Sequence, residues 1–181
     1  MKTNSPHKPL HRQSQSGSTL IEAVIALAIL LIVSAGVMSV AVVGTTTTEN
    51  QGNLGARTAE YAQDKIEQLI SLAYTDAVSD TTQFPAATSG GTGLTVGGGP
   101  DPAAPVTGYK DYLDANGNPL ALGAGGAAPS GWYYIRVWQI AQFATNVKQI
   151  TVTCKVAFGV GASGIGALAQ STVITLKSNP F

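Results

Sequence analysis

The sequence predicts an α+β fold in which one long N-terminal helix packs on a small C-terminal antiparallel sheet of three to four strands. Three observations predict it. The run from Leu20 to Val43 is apolar apart from Glu22 and a few small polar residues. Further on, Ala59, Ala62, Ile66, Leu69 and Ala73 recur at three- and four-residue intervals, the pattern of one buried helix stripe. Beyond Gly131 apolar and polar residues alternate with a period of two between glycine- and proline-rich breaks, which is a strand pattern.

The apolar run comes first. A helix rises ~1.5 Å per residue, so about two dozen residues cover roughly 36 Å, more than a hydrocarbon core of ~30 Å. Hydropathy therefore asks for a membrane helix with a carboxylate one turn inside it. A charge at the bilayer centre costs on the order of 2.5–3.5 kcal/mol, and less near the interface. Glu22 lies at the shallow edge, where the partial positive charge of the helix N-terminus favours an anion. Two readings stay open: a first-turn glutamate held by that dipole and by water, or a carboxylate awaiting a cationic partner in apolar packing.

The segment before the run, Met1 to Gly17, is polar and carries Lys2, Lys8 and Arg12 with no acid. Such charge keeps the N-terminus cytoplasmic and sends the chain beyond Val43 across the membrane. Pro6 and Pro9 oppose helix there. The apolar run comes after Gly17 instead of preceding a small-residue cleavage site, unlike an ordinary secretory signal. His7 and His11 have the i, i+4 spacing of metal ligands but read as flexible polar filler.

A basic leader ending in Gly17, then Ser18-Thr19-Leu20-Ile21-Glu22, then an uninterrupted apolar helix, resembles the class III signal of type IV pilins and pseudopilins. The resemblance implies the type IV pilin fold and a precursor cut by a prepilin peptidase between Gly17 and Ser18. It implies N-methylation of Ser18 and assembly of subunits through Glu22. The implied partners are other pilin subunits in a helical filament, the prepilin peptidase/methylase and the inner-membrane assembly platform. The implied location is the inner membrane as a single-pass precursor, then a filament at the cell surface or in the periplasm. Ser18 replaces the usual Phe, and Ser16 stands before Gly17 where many members have Lys; both point to a minor pilin or a less common subclass. The segment Ala62 to Leu69 is similar to the second helical half of PilV-type minor pilins.

The expected organisation is a leader at 1–17, a hydrophobic membrane and filament-core helix at 18–44, its amphipathic second half at 45–75, and a globular head at 76–181. Unbroken, a helix from Ser18 to Tyr74 is ~85 Å long. Gly44, Thr45 to Thr48, Gly52 and Gly55 are weak helix formers and leave a break between two helices open. Glu60, Asp64, Lys65, Glu67 and Gln68 are expected to face away from the apolar stripe.

Within the head, 76–130 is a Gly/Pro-rich loop region and 131–181 the sheet. Gly97-Gly98-Gly99-Pro100 opposes regular structure. It is no phosphate cradle, since no Lys-Ser/Thr comes after it and no helix opens there. Asn116-Gly117 predicts a two-residue turn, because both residues accept positive φ. Asp114, Asn116 and Asn118 alternate like the first oxygen ligands of a calcium loop. An EF-hand loop has Gly sixth and an acid twelfth, whereas here Gly is fourth and Pro sixth. A turn with side-chain caps is preferred, calcium at these three residues is the alternative, and no other cofactor is expected.

The strands are expected at Trp132–Ile140, Val147–Phe158 and Ser171–Leu176, joined as an antiparallel meander with one face on the helix. Trp132, Tyr134 and Trp138 read as sheet-face packing, or alternatively as an exposed platform for sugars. Cys154 is the single cysteine, so no intramolecular disulfide forms. Alternation sets it opposite Thr153 and Lys155 as a small buried residue.

Formal net charge is zero. Without the leader, seven basic residues face ten acidic ones, a net charge of about −3. That leaves no basic field to grip phosphates, and nucleic-acid binding is not expected. No histidine lies beyond residue 17, and there is no Gly-x-Ser-x-Gly elbow or cysteine pair, so an enzyme is not expected. The expected function is a structural subunit of a type IV pilus, a minor pilin. The alternatives are a pseudopilin of a type II secretion or DNA-uptake system, and a pilus-tip adhesin using the 75–130 loops or the aromatic strand.

Overall fold

The computed structural model describes residues 19–157 and 168–179. They divide into two compact units, one ending at Thr45 and one starting at Thr46.

Helix α1 runs from Leu20 to Ser71. Its first part, Leu20–Thr45, has 26 residues, a mean hydropathy of 2.7 and no buried residue. Lipid or other protein must cover its leucines, isoleucines and valines. Two hydroxyl groups inside this stretch bond the helix's own carbonyls: Ser34 Oγ donates to Leu30 O (2.7 Å) and Thr45 Oγ1 to Ala41 O (2.9 Å). Gly44, Gly52 and Gly55 lie within α1. The helix stops at Ser71, short of Tyr74. Beyond it, tight turns replace the helical register, with Leu72 N–H on Leu69 O (3.4 Å) and Asp76 N–H on Ala73 O (3.0 Å).

The second unit holds an antiparallel sheet of strands β1 (Gly97–Gly98), β2 (Lys110–Leu113), β3 (Pro119–Leu120), β4 (Tyr134–Ala144), β5 (Val147–Val156) and β6 (Gln170–Ser178). Their order is β3-β2-β4-β5-β6, and β1 also pairs with β4. The meander of β4, β5 and β6 matches the expected pattern. With the three short strands the sheet has six among the described residues, more than the expected three to four, and β1 overturns the expectation that the glycine run opposes regular structure. Gly98 has φ 78°, and a Cβ there would lie 2.2 Å from Trp138 O. Lacking side chains, this backbone approaches β4 closely enough for Gly99 N–H to reach Trp138 O (3.1 Å).

Alternation along the strands separates two cores. Toward α1, Tyr134, Trp138, Ile140, Ile150, Val152, Cys154 and Val156 pack with Tyr61, Ala62, Ile66 and Leu69. On the other face, Tyr112, Ile135 and Val137 are covered by Leu120, Leu122 and Trp132. The aromatic triplet is thereby split. Tyr134 and Trp138 are buried under α1, while Trp132 sits on the opposite side, edge-on to Tyr112 at 5.2 Å. They form no exposed platform, because strand parity sends the first two inward and Trp132 precedes the strand.

The helix stripe also differs from expectation. Ala73 is exposed beyond the helix end and Ala59 is half-buried, whereas Lys65 and Gln68, expected to face outward, are buried. The long connection after α1 is organised by its own side chains. Asp76 Oδ1 accepts from Val78 N–H and Ser79 N–H (both 3.0 Å), and Asp80 Oδ1 from Thr82 N–H (2.9 Å). Lys148 Nζ of β5 ties the connection down by donating to Tyr74 O and Leu94 O (both 2.8 Å).

Candidate functional site

Gly17 and Ser18, the expected cleavage and methylation positions, lie outside the described residues. The helix is established immediately after them, with Ala23 N–H on Thr19 O (3.1 Å). Glu22 occupies the first turn of α1. There the opening N–H groups have no acceptor within the helix and the dipole favours an anion. From Leu20 to Thr48 it is the one ionisable side chain, at the mouth of an apolar segment that has no cover of its own.

Residues 12–38 match the prokaryotic N-terminal methylation motif. No curated protein and no solved structure matches the chain. The N-terminal methylation motif contains Gly17, Ser18 and Glu22 and continues into the apolar helix. Together with that helix it supports a membrane-anchored, type IV pilin-like precursor, of a class that is structural and not enzymatic. Such a motif implies processing by a prepilin peptidase and assembly with other pilins.

The head contains a second constellation that the sequence reading missed. Lys65 of α1, Asp111 of β2 and Arg136 of β4 meet between helix and sheet, with relative exposures of 0%, 3% and 5%. Arg136 grips Asp111 in a fork, Nε to Oδ1 and Nη2 to Oδ2, both 2.8 Å. Its Nη1 donates to Tyr61 O on α1 (3.2 Å). Lys65 Nζ donates to Asp111 Oδ2 (2.8 Å), to Gln68 Oε1 (2.7 Å) and to Thr81 O, and lies 4.1 Å from the centre of the Trp138 ring. One carboxylate thus serves two cations.

That imbalance accounts for the titration behaviour. Burial drives the Lys65 ammonium down to about 8, and the Asp111 charge opposes the fall only in part. Burial by itself would raise Asp111, but the charges of Arg136 and Lys65 hold its carboxyl below the usual range. The cluster joins helix, sheet and the connection at Thr81, and so fixes how residues 58–69 seat on the strands. A signal was present in the sequence. Arg136 shares strand parity with Tyr134 and Trp138, and Lys65 falls in the helical row of Tyr61, Ala62 and Leu69.

Cys154 is fully buried, and burial pushes its thiol up to about 12, far from a reactive thiolate. The loop proposed for calcium is the β2–β3 turn. Asp114 Oδ1 accepts from Asn116 N–H (2.8 Å) and Asn118 N–H (2.9 Å), and Oδ2 from Asn118 Nδ2 (2.9 Å). Only Gly117 takes a positive φ, 88°; Asn116 does not. The expected two-residue turn is therefore a wider one, since capping by Asp114 closes it through Asp114 N–H to Asn118 O (2.9 Å). Among the described residues, no group of three or more His, Cys, Asp or Glu is placed to hold a metal.

Proposed function

We propose that this chain is a structural subunit of a type IV pilus, of the minor, PilV-like kind. The observation that carries the reading is a methylation motif at 12–38 running directly into a 26-residue apolar helix whose single acid is Glu22. The prepilin peptidase cuts after Gly17 and methylates the new terminus at Ser18. The subunit then leaves the bilayer as its apolar helix exchanges lipid for neighbouring helices, drawn by the inner-membrane assembly platform. Cutting frees an amine at Ser18, which meets Glu22 of the same or a neighbouring subunit where little water remains. At ~4 Å and an effective dielectric of ~20 the attraction is ~4 kcal/mol. Desolvation of both charges offsets much of that, so the pair sets register more than it adds net stability.

The test is the intact mass of the protein recovered from its own cells, expected to begin at a singly methylated Ser18. A mass that still includes Met1 to Gly17 refutes the proposal. Deletion of the gene is expected to impair surface pili; a secretion defect with pili unchanged would place the subunit in a type II secretion system instead.

A further inference from the structure

A cavity opens in the head where α1, the connection after it, β2, the β2–β3 turn and β4 meet. All of these lie in the unit that starts at Thr46. Its volume is about 410 Å³, within the ~300–1,000 Å³ of small-molecule sites. Its polar lining comes from Asp64, Glu67 and Gln68 of α1 and Arg136 of β4. Its apolar lining comes from Phe84 of the connection, Leu113 at the end of β2 and Pro119 at the start of β3.

The polar groups have capacity to spare. Asp64 and Glu67 are three apart on α1, so their carboxylates are neighbours on one face, and both residues are exposed. The two ion pairs among the described residues both go to Asp111, which leaves Asp64 and Glu67 as acceptors without an ion-pair donor. Arg136 and Gln68 are buried, yet only some of their hydrogens are bonded. A guanidinium carries five N–H groups; Arg136 directs two to Asp111 and one to Tyr61 O. Gln68 Nε2 donates to Gln83 O (2.8 Å) and keeps a second N–H. Buried donors without an acceptor are unfavourable, so an oxygen entering the cavity gains more there than on open surface. Phe84 is 66% exposed and belongs to neither core, so its ring stays open at the cavity.

These demands conflict for a charged ligand. A cation suits Asp64 and Glu67 but meets Arg136. An anion suits Arg136, whose charge Asp111 already balances, and meets two carboxylates. A hydroxyl both donates and accepts. Adjacent hydroxyls can therefore give hydrogens to the carboxylates and take them from Arg136 and Gln68 while bringing no net charge. A ring with hydroxyls at its edge and C–H groups on its face also covers Phe84, whose aromatic face is electron-rich.

We propose that this cavity binds a neutral sugar ring. Asp64 and Glu67 accept from its hydroxyls, Arg136 and Gln68 donate to its oxygens, and Phe84 packs against its C–H face. An acidic sugar is turned away by the two carboxylates. The site uses none of the residues of the N-terminal motif, and none of Trp132, Tyr134 and Trp138.

The experiment titrates methyl α-D-mannopyranoside, methyl β-D-galactopyranoside and methyl β-D-glucopyranoside into the full chain and reads saturation-transfer NMR. The chain is held in a polyoxyethylene detergent, which has no sugar headgroup. At least one glycoside is expected to receive transfer at its ring C–H protons and to saturate. Asp64→Asn combined with Glu67→Gln is expected to weaken binding ~10-fold or more, since a single lost bond to a charged group accounts for about that factor. Phe84→Ala is expected to remove the transfer to the ring protons. All three positions are exposed, so the thermal melt of these variants is expected to stay in place, which separates lost binding from lost fold. Asp101→Asn, at an exposed acid outside the cavity lining, is expected to bind as wild type. Methyl β-D-glucuronide is expected to give no transfer. Silence from all three neutral glycosides, or binding unchanged by Asp64→Asn with Glu67→Gln, overturns the proposal. Tighter binding of the glucuronide or of arginine amide than of the neutral glycosides overturns it as well. None of these readouts involves processing at Gly17, so failure here leaves the pilus assignment standing.

Discussion

Removing the carboxylate of Asp111 is the most direct probe of how the head is held together. In Asp111→Ala, Lys65 and Arg136 are left facing each other between α1 and the sheet, at 0% and 5% exposure and with no anion. Three charge-assisted bonds disappear, from Lys65 Nζ, Arg136 Nε and Arg136 Nη2, each 2.8 Å long. Taken singly such bonds are worth roughly 1.5–3 kcal/mol, but they share one acceptor and do not add. Breaking a buried ion pair by deleting one partner costs about 3–5 kcal/mol, because the remaining charge stays desolvated. For a head of this size that corresponds to a fall in Tm of roughly 10–15 °C. The assay is thermal unfolding of the full chain in detergent, followed by near-ultraviolet circular dichroism, to which the buried Trp138 reports directly. Replacing all three charges together, Lys65→Met, Asp111→Leu and Arg136→Met, is expected to recover most of the loss. A decrease below about 1 kcal/mol for Asp111→Ala would refute the reasoning, since it would mean water reaches the cluster.

Other outcomes rest on the same geometry. Lys65 has a folded value of about 8 against 10.5 unfolded. Below pH 8 both states hold the proton and the cost of burying it is complete; between pH 8 and 10.5 the unfolded state binds more protons, so this group adds stability as pH rises. The difference in Tm between wild type and Lys65→Met is therefore expected to move in favour of wild type from pH 7.5 to 10, and a flat difference would contradict it. Glu22→Val is expected to leave membrane insertion intact while filament incorporation falls, measured by the share of chain in sheared filaments; incorporation at the wild-type level would count against the register role. Adding EDTA to purified protein is expected to leave Tm unchanged, because both Asp114 oxygens already accept hydrogen bonds within the turn; a fall of several degrees would establish a bound cation.

Two parts of this protein were written locally. The apolar run at 20–43 and its lone Glu22 are legible because a segment with no polar face has to be covered by lipid or protein whatever the head does. The strands at 134–140, 147–156 and 171–176 are legible because a sheet with one face on a helix imposes a period of two that side chains display directly. Asp111, Lys65 and Arg136 were not legible as a set. Their sequence separations are large, and a charge on an apolar stripe reads as solvent-facing until its counter-charges are brought beside it. Gly97 and Gly98 read as a breaker, because only β4 lying alongside makes a side-chain-free strand advantageous there. Residues in one element announce themselves by period; groups whose energy depends on a partner far along the chain are decided only when the fold sets the two a hydrogen bond apart.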